Sequence, residues 1–534
     1  MDIVLQGGLV VDGSGAAGVE ADVGVCEGKI AAVGQLSGAA ARRVDCEGQV
    51  VCPGFIDLHA HSDLTILVAP RAESKVHQGV TTEIVGHCGM STFPVAREQR
   101  EALQSVCAFI AAAEDDRRDV EWTWQTADDY LRRLEEAGPA VNMGTLVGHS
   151  ALRGVAMGFG DEEPGPEQVD AMCRVARETL DAGAAGISFG LGYAPGAYAG
   201  TAELEALCAV ASEYGRECAI HLRDEGARLL PALQEALDLG RRSGARLQID
   251  HLKATWPANW GKTAEALETL ESAVEEGVDV TFDAYPYTAG SRHLSGSLPG
   301  WAVAGPPEEW LARLTEPAVR DRIRAWHAGA EGGTVGDDLS RTFIAAVGPE
   351  GDESLVGRSI QEIADEGGAH PVDTMLDIIV QERNRVGVVI ESMCEEDVRG
   401  VLAHPLGCVA TDGIGVAPRG PFSAWRPHPR SYGTYPRFLG RYVRDECLVS
   451  LEEAVRKCTS LPAARVGLRD RGQVRPGLAA DIVVFDAERV SDRATYAEPH
   501  QYPDGISHVL VNGEVVVEDG RHTGARPGAV LRMA

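Results

Sequence analysis

Two histidines, His59 and His61, stand one residue apart at the end of an apolar, strand-like run over residues 54–61. In an extended strand the side chains at i and i+2 point to the same side, so these two imidazoles project together. Neutral imidazole is a common ligand of zinc and similar divalent ions, and two such ligands leave positions for further protein groups and a water. A lone His-x-His pair is also typical of two partly exposed loop histidines, so the interpretation depends on the rest of the chain.

Eight short apolar segments alternate with helix-length amphipathic segments and are candidates to position this pair. They are residues 54–61, 81–89, 142–149, 185–193, 218–223, 246–253, 280–288 and 407–413. Strands that alternate with helices predict parallel βα units, and eight such units predict an α/β fold, a (β/α)8 TIM-like barrel. In that fold the active site lies at the C-terminal ends of the strands, so chemically useful side chains should be found there.

Such side chains do follow several of the predicted strands. They are Cys88 after the second strand, His221 after the fifth, His251 after the sixth and Asp412 after the eighth. Each has a simpler interpretation: a buried thiol, two hydrogen-bonded histidines at the barrel mouth, and a helix N-cap. Their shared placement at strand ends favours a metal site at one barrel mouth, with the His59 and His61 pair as part of it.

The two ends of the chain predict a second, smaller domain. Short strand signals separated by turns fill residues 1–53 and return in residues 465–534. We expect the ends to pair into one small β-sandwich around a barrel of residues 54–464. Between the seventh and eighth strands the alternation breaks over about residues 292–385, which is too long for a structureless loop in a compact domain. We therefore expect an inserted subdomain with helices of its own, packed over the mouth.

Composition limits the kinds of partner. The chain has 534 residues, with Lys+Arg 49 against Asp+Glu 80 and a formal net charge of -31, which argues against nucleic acid or an anionic membrane as partner. No signal region or apolar run of bilayer-spanning length is visible, so we expect a cytoplasmic protein. The 12 cysteines include no CxxC pair, and we expect reduced thiols. The oligomeric state is not predicted.

Over nearly its whole length the chain resembles the amidohydrolase superfamily and, within it, the D-aminoacylase (N-acyl-D-amino-acid deacylase) family. The similar segments are residues 54–61, 79–89, 251–253, 283–291, 428–430, 459–464 and 472–477. The resemblance implies a zinc-dependent hydrolase that removes the acyl group from N-acyl-D-amino acids or a related D-configured amide. D-selectivity is implied by the resemblance alone.

The same resemblance implies a set of metal ligands. One tightly bound zinc ion would be held by Cys88, His221 and His251, with the cysteine in the place that a carboxylated lysine holds in many relatives. His59 and His61 would be positioned for a second, weakly bound ion. Three protein ligands leave a position for water, and a thiolate is a strong zinc ligand.

The resemblance also implies residues that contact the substrate and its carboxylate. They are Tyr193, Lys253, Tyr285, Ser291 and Arg430. His87 departs from the family, because asparagine is expected there, and the segments 256–261 and 413–428 look reshaped. These departures lie near the predicted mouth and therefore bear on the substrate more than on the reaction.

The chemistry can be argued from residue types. A zinc-bound water loses its proton near neutral pH and can attack an amide carbonyl. Asp412 is the proposed proton carrier, because a carboxylate can accept that proton and deliver it to the departing amine. A substrate carboxylate would meet Arg430 first, because its planar fork binds carboxylates in a bidentate manner, and Lys253 second.

Two other function classes stay open from the sequence. Cyclic-amide hydrolases of the dihydroorotase and hydantoinase type share the barrel and the His-x-His strand. They are expected to carry a carboxylated lysine at the end of the fourth strand, where this chain has Ser-Phe-Gly-Leu-Gly-Tyr at residues 188–193. A metal-free scaffold on the same fold would have lost ligands, and none is missing here.

Overall fold

A computed structural model describes residues 1–107, 120–329, 337–348 and 350–533. The strands are β1 Ile3–Val10, β2 Val19–Cys26, β3 Lys29–Gly34, β4 Arg42–Asp45, β5 Val50–Pro53, β6 Phe55–Asp57, β7 Val80–Val85, β8 Asn142–Thr145, β9 Val147–Gly148, β10 Gly186–Gly190, β11 Glu217–His221, β12 Arg246–Ile249, β13 Val280–Ala284, β14 Ala289–His293, β15 Thr342–Val347, β16 Val386–Glu391, β17 Gly407–Val409, β18 Ile482–Phe485, β19 Ile506–Val511, β20 Glu514–Glu518 and β21 Arg521–His522.

The α-helices span Thr65–Val68, Glu73–Val76, Arg100–Val106, Ala127–Ala137, His149–Met157, Pro166–Asp181, Thr201–Glu213, Leu229–Ser243, Lys262–Glu275, Pro307–Arg313, Pro317–His327, Ile360–Gly367, Pro371–Gln381, Glu395–Ala403, Arg430–Arg437, Leu451–Cys458 and Ser460–Val466. A π-helix, Phe438–Asp445, follows Arg437 directly. Within the described ranges, no helix combines the length and the apolar character that crossing a bilayer requires.

The two ends of the chain form one nine-stranded sheet in the order β21-β20-β19-β18-β5-β1-β2-β3, with β4 paired to β1. The link between the ends is the antiparallel pair of β18 and β5, in which Val483 faces Cys52. Leu5, Val25 and Ile482 are buried in one apolar cluster at this junction. The prediction that the two ends pair is therefore confirmed.

Parallel strands form the middle of the chain, which confirms the predicted α/β class. Six lie in the order β17-β13-β12-β11-β10-β9 and three in the order β6-β7-β8, and a single residue separates β8 from β9. β6 and β17 lie at the ends of these two sheets, and the residues that follow them are hydrogen-bonded to each other. The Asp412 N–H donates to the His59 carbonyl and the His61 N–H to the Gly413 carbonyl, both at 2.9 Å. All eight segments expected from the sequence contain parallel strands, and each observed strand is shorter than expected.

The ends of the helices are set by residues close to them in sequence, as in the helix Ala127–Ala137. The Thr126 hydroxyl accepts from the Asp129 N–H, and the Asp129 carboxylate accepts from the Thr126 N–H, both at 3.2 Å. Such a capping box satisfies two N–H groups at the start of the helix, and Gly138 ends it with a φ of 59°. The buried Tyr130 on this helix donates to the Asp63 carbonyl at 2.7 Å, and so supports the segment that follows His61.

The chain between β13 and β17 has a sheet and a core of its own. Its antiparallel sheet has the order β14-β16-β15 and runs from residue 289 to residue 391, a wider stretch than expected. A separate apolar cluster, which includes Trp310, Met375 and Val388, packs helices of this segment against that sheet. Among the described residues between β14 and β16 there are four α-helices, Pro307–Arg313, Pro317–His327, Ile360–Gly367 and Pro371–Gln381.

A buried carboxyl group at the start of β11 gives a prediction about stability. Glu217 is 1% exposed, and neither of its carboxylate oxygens has a hydrogen-bond partner. Burial raises the pKa of Glu217 to about 7, although His87 and Arg465 oppose the shift. The folded state therefore binds this proton more tightly than the unfolded chain, and the stability that the neutral carboxyl contributes at low pH is lost as the pH rises through 7.

Glu217→Gln cannot ionise, so it should raise the free energy of unfolding at pH 8 by about 1–3 kcal/mol and change it little at pH 5. Denaturant unfolding at the two pH values measures the difference. The exposed Glu268→Gln serves as control and should show no such pH dependence. An equal effect of Glu217→Gln at both pH values would contradict the assignment.

Candidate metal centre

A thiol and three imidazoles meet at the C-terminal ends of the parallel strands. The Cys88 Sγ lies 3.5 Å from His59 Nε2, 3.8 Å from His221 Nδ1 and 3.4 Å from His251 Nε2. His221 Nδ1 and His251 Nε2 are 2.9 Å apart, and all four residues are at most 4% exposed. Donor atoms around a tetrahedral zinc ion lie about 3.3–3.8 Å apart, because the metal–ligand bonds measure about 2.0–2.3 Å. The three distances from Cys88 Sγ match these values, whereas the distance between the His221 and His251 nitrogens is shorter.

Asp412 faces the same cluster from the end of β17. Its Oδ1 lies 3.1 Å from His61 Nε2 and 3.6 Å from His59 Nε2. The ligand atoms of Asp412, His59 and His251 lie within 4.8 Å of one another, as do those of Cys88, His59 and His61. The structure thus brings together all six residues that the sequence analysis placed at one mouth.

Three of these residues have a left-handed backbone conformation. Cys88, His251 and Asp412 have φ values of 54°, 35° and 46°, a left-handed region that costs non-glycine residues about 1–2 kcal/mol each. The His251 N–H donates to Asp283 Oδ1 at 2.9 Å, one of the contacts that hold this geometry. The three strands end two or three residues before these positions, at Val85, Ile249 and Val409.

Two carboxylates that sequence reasoning did not place in the site orient the imidazoles. Asp283 Oδ1 lies 3.1 Å from His59 Nδ1, and Glu225 Oε1 lies 2.9 Å from His251 Nδ1. With Nδ1 occupied in this way, the Nε2 of each ring faces the sulfur of Cys88. Asp283 is itself near the end of a strand, so the rule that found the histidines applies to it, whereas Glu225 lies in a loop after β11 and gives no such signal.

His87 stands beside the centre, where the family resemblance leads one to expect asparagine. Its ring stacks on that of His59, with centroids 4.2 Å apart, and its Nδ1 lies 3.2 Å from Asp250 Oδ1. Burial favours the neutral ring, but the Asp250 carboxylate more than offsets it, and the pKa of His87 is raised to about 9. His87 therefore supports the ring of a candidate ligand instead of joining the sulfur-centred cluster.

Arg430 lies against the carboxylate of Asp412. The guanidinium NH1 is 2.8 Å from Asp412 Oδ2, and its Cζ lies 4.7 Å from the centre of the Tyr285 ring. Burial alone would raise the pKa of Asp412, but Arg430 and His59 hold that pKa well below its usual range. Asp412 is therefore ionised at neutral pH.

The remaining predicted substrate contacts surround the same centre. Lys253 Nζ lies 2.6 Å from Glu225 Oε1, while Arg430 NH2 donates to the Ser291 carbonyl at 3.3 Å. The Tyr285 hydroxyl is buried and has no hydrogen-bond partner, so it is available to a ligand oxygen. On the other side, the ring of Tyr193 lies over His221, with centroids 4.4 Å apart.

A buried thiol and imidazoles at the ends of parallel strands, with an ionised carboxylate facing them, define a metal-dependent hydrolase of the α/β class. The model of the amidohydrolase family matches residues 42–517, and the chain belongs to this family.

Several similar proteins indicate a more specific group within this family. N-acyl-D-glutamate deacylase of Alcaligenes xylosoxydans xylosoxydans is 38% identical over 533 residues, which cover 100% of this chain and 96% of the relative. The crystal structure of N-acyl-D-glutamate deacylase from Bordetella bronchiseptica, complexed with zinc and a phosphonate mimic of the tetrahedral intermediate, has a TM-score of 0.83 at 34% identity and covers 100% of this chain and 99% of that one. A D-aminoacylase structure described by one-metal activation and second-metal attenuation of its binuclear centre has a TM-score of 0.83 at 37% identity and covers 99% of each chain. The predicted relationship to the D-aminoacylases is confirmed.

Proposed function

We propose that the protein is a zinc-dependent amide hydrolase that removes the acyl group from N-acyl-D-amino acids or a related D-configured amide. The observation that carries this proposal is the buried donor set around Cys88, which faces the ionised Asp412. The substrate class rests on the relatives, which act on N-acyl-D-amino acids according to their names. The fourth parallel strand is followed by Leu191 and Gly192 without a lysine, which disfavours a cyclic-amide hydrolase.

Cys88, His221 and His251 would hold the tightly bound zinc ion, and His59 and His61 would face a second, weakly bound one. When bound, the metal lowers the pKa of a water and polarises the amide carbonyl. The residues of the chain supply orientation and proton transfer around it.

Asp412 would take the proton from the attacking water and deliver it to the amide nitrogen as the amine departs, because an unprotonated amide nitrogen leaves poorly. Its partner Arg430 lies between this carboxylate and Tyr285, within reach of a substrate carboxylate at the same place. The Tyr285 hydroxyl would donate to that substrate, with Lys253, Ser291 and Tyr193 as further contacts at the mouth.

The same proposal includes the finer architecture. The eight parallel segments would close a (β/α)8 barrel over residues 54–464, supported by the hydrogen bonds that join His59 and Asp412 across its two edges. Residues 1–53 and 465–534 would fold into a β-sandwich. The separate core of the segment around residues 292–385 supports an inserted subdomain over the mouth.

A hydrolysis screen of paired N-acetyl-D- and N-acetyl-L-amino acids, with metal content measured on the same preparation, tests the function. We expect zinc in the purified protein and turnover of the D-series only. Turnover of cyclic amides in place of linear ones would contradict the proposal.

Arg430→Lys keeps the positive charge but loses the planar fork that binds a carboxylate through two hydrogen bonds. We expect kcat/KM for an N-acyl-D-amino acid to fall by a free energy of about 1.5–3 kcal/mol, while zinc content stays unchanged. Steady-state kinetics with the acid and its carboxamide analogue measure the effect.

Arg437→Lys is the matched control, because Arg437 lies on the same helix and stacks on Tyr287 with its Cζ 4.8 Å from the ring centre. It should leave kcat/KM nearly unchanged. If Arg430→Lys cleaves the acid as well as the parent, or if the parent cleaves the carboxamide equally well, the substrate carboxylate is not bound by Arg430.

A further inference from the structure

His428 forms hydrogen bonds to two segments of the chain that are far apart in sequence. It lies two residues before the first residue of the helix Arg430–Arg437 and is 3% exposed. Its Nδ1 accepts from the Arg430 N–H at 3.0 Å, and its Nε2 donates to the Ala289 carbonyl at 2.9 Å. Since Ala289 is the first residue of β14, one imidazole joins this strand to the start of the helix that carries Arg430.

These two contacts require a neutral imidazole in one tautomer. A backbone N–H can only donate and a backbone carbonyl can only accept, so Nδ1 must be unprotonated while Nε2 carries the proton. Burial and the Arg430 guanidinium hold the pKa of His428 well below its usual range, although the hydrogen bond to Ala289 opposes the shift. The ring is therefore neutral at neutral pH and makes both contacts at once.

The two segments that His428 joins carry two of the proposed contacts to the substrate carboxylate. One is Arg430 itself, and the other is Ser291, which follows Ala289 by two residues on β14. The Arg430 NH2 also donates to the Ser291 carbonyl at 3.3 Å. The main chain of Arg430 is thus held to one end of β14 through His428, while its guanidinium is held to the same strand two residues further on.

Three tyrosine rings surround the imidazole and hold its orientation. Their centroids lie 5.1 Å (Tyr287), 5.2 Å (Tyr496) and 6.1 Å (Tyr285) from that of His428, and all three pairs are edge-to-face. This arrangement is favourable for aromatic rings, and a rotation of the imidazole would disturb all three contacts. The direction of the two hydrogen bonds of His428 is therefore fixed by packing.

We propose that His428 is a positioning residue that holds Arg430 and Ser291 at the spacing that a substrate carboxylate requires. This inference rests on the proposed function, to which it adds a residue that acts on substrate binding through Arg430. A histidine suits this position because one compact ring presents an acceptor to the helix and a donor to the strand.

The proton carrier has contacts that do not depend on His428. Asp412 Oδ1 lies 3.1 Å from His61 Nε2, and the Asp412 N–H donates to the His59 carbonyl at 2.9 Å. A variant of His428 should therefore leave Asp412 in place. The effect should appear in substrate binding, and so in KM, more than in kcat.

His428→Phe keeps a ring of similar size but removes both hydrogen bonds. With the zinc-loaded protein we expect KM for an N-acyl-D-amino acid to rise about tenfold, whereas kcat and zinc content should change by less than about twofold. The carboxamide analogue lacks the charge that Arg430 binds, so its kcat/KM should also change by less than about twofold. A residue with a merely structural role would affect both substrates equally.

His428→Gln is the conservative variant and carries the test if His428→Phe does not fold. Its side-chain amide can extend to the place of Nε2 and donate to the Ala289 carbonyl, so KM for the acid should rise by only about threefold.

His500→Phe is the matched control. The His500 Nδ1 lies 2.8 Å from the hydroxyl of Tyr432, on the same helix as Arg430, and its Nε2 donates to the Trp425 carbonyl at 2.8 Å. This variant loses an equivalent pair of contacts without a link to Arg430 or β14. It should leave KM for the acid unchanged, whatever its effect on Tm.

Two results would overturn the inference while hydrolysis by the parent leaves the proposed function standing. One is an unchanged KM for the acid in the His428 variants, and the other is an equal loss of kcat/KM for the acid and the carboxamide. If the parent cleaves no N-acyl-D-amino acid, the proposed function itself fails, and this inference with it.

Discussion

Asp412→Asn is expected to lower kcat by a factor of about 10²–10⁴, with zinc content retained. The amide is close in size to the carboxylate but cannot accept a proton from the attacking water or deliver one to the leaving amine. It can still occupy the space between His61 and Arg430, where Asp412 Oδ1 and Oδ2 lie 3.1 and 2.8 Å from their partners. Steady-state kinetics and metal analysis on one preparation measure both effects.

The Asp412→Asn substitution should leave the backbone conformation at residue 412 unchanged. Asparagine tolerates the left-handed region, so the φ of 46° at Asp412 should survive the substitution. Asp519, an exposed residue with a φ of 48°, is the matched control, and Asp519→Asn should retain full turnover. Near-normal turnover by Asp412→Asn would remove this carboxylate from the mechanism.

Cys88→Ala is expected to abolish tight zinc binding and, with it, hydrolysis. The sulfur is the shared neighbour of His59, His221 and His251, so its loss removes the strongest ligand and the centre of the cluster. Metal analysis after dialysis against a weak chelator measures the loss.

Cys447→Ala is the control for Cys88→Ala. Cys447 is exposed and has a φ of 52°, close to the 54° of Cys88, so both substitutions place alanine in the same backbone conformation. Cys447→Ala should keep zinc and activity. Full zinc occupancy in Cys88→Ala would show that the thiol is not a ligand.

The parallel strands could be located from sequence because their apolar runs are buried on both faces, as in Val280–Ala284. Candidate ligands could be found because a parallel sheet brings its strand ends together. Their hydrogen-bond partners could not, since the contact of His251 with Glu225 depends on the path of a loop. The ion pair of Arg430 with Asp412 is of the same kind, because it joins a helix to a strand end at a distance that periodicity does not encode.

Strand lengths were overestimated for a physical reason. The apolar pattern follows burial, which continues to Cys88, His251 and Asp412, whereas the strands themselves end two or three residues earlier. The sheet between β13 and β17 was also missed, because β14 begins only five residues after β13 ends and pairs with a strand almost a hundred residues later. Its helices were expected because a structureless stretch of that length is uncommon in a compact domain.

The junction of β18 with β5 has a consequence for biosynthesis. β5 leads through Gly54 into β6 and the His59 and His61 pair, and the Gly54 N–H donates to the Asp481 carbonyl at 2.8 Å. During synthesis the ribosome completes every candidate ligand, from His59 to Asp412, before the partner strand Ile482–Phe485 exists. β5 can pair with β1 early in synthesis, but its other edge stays unpaired until β18 emerges, so we expect a nascent chain to complete its metal site only after the C-terminal segment has been made.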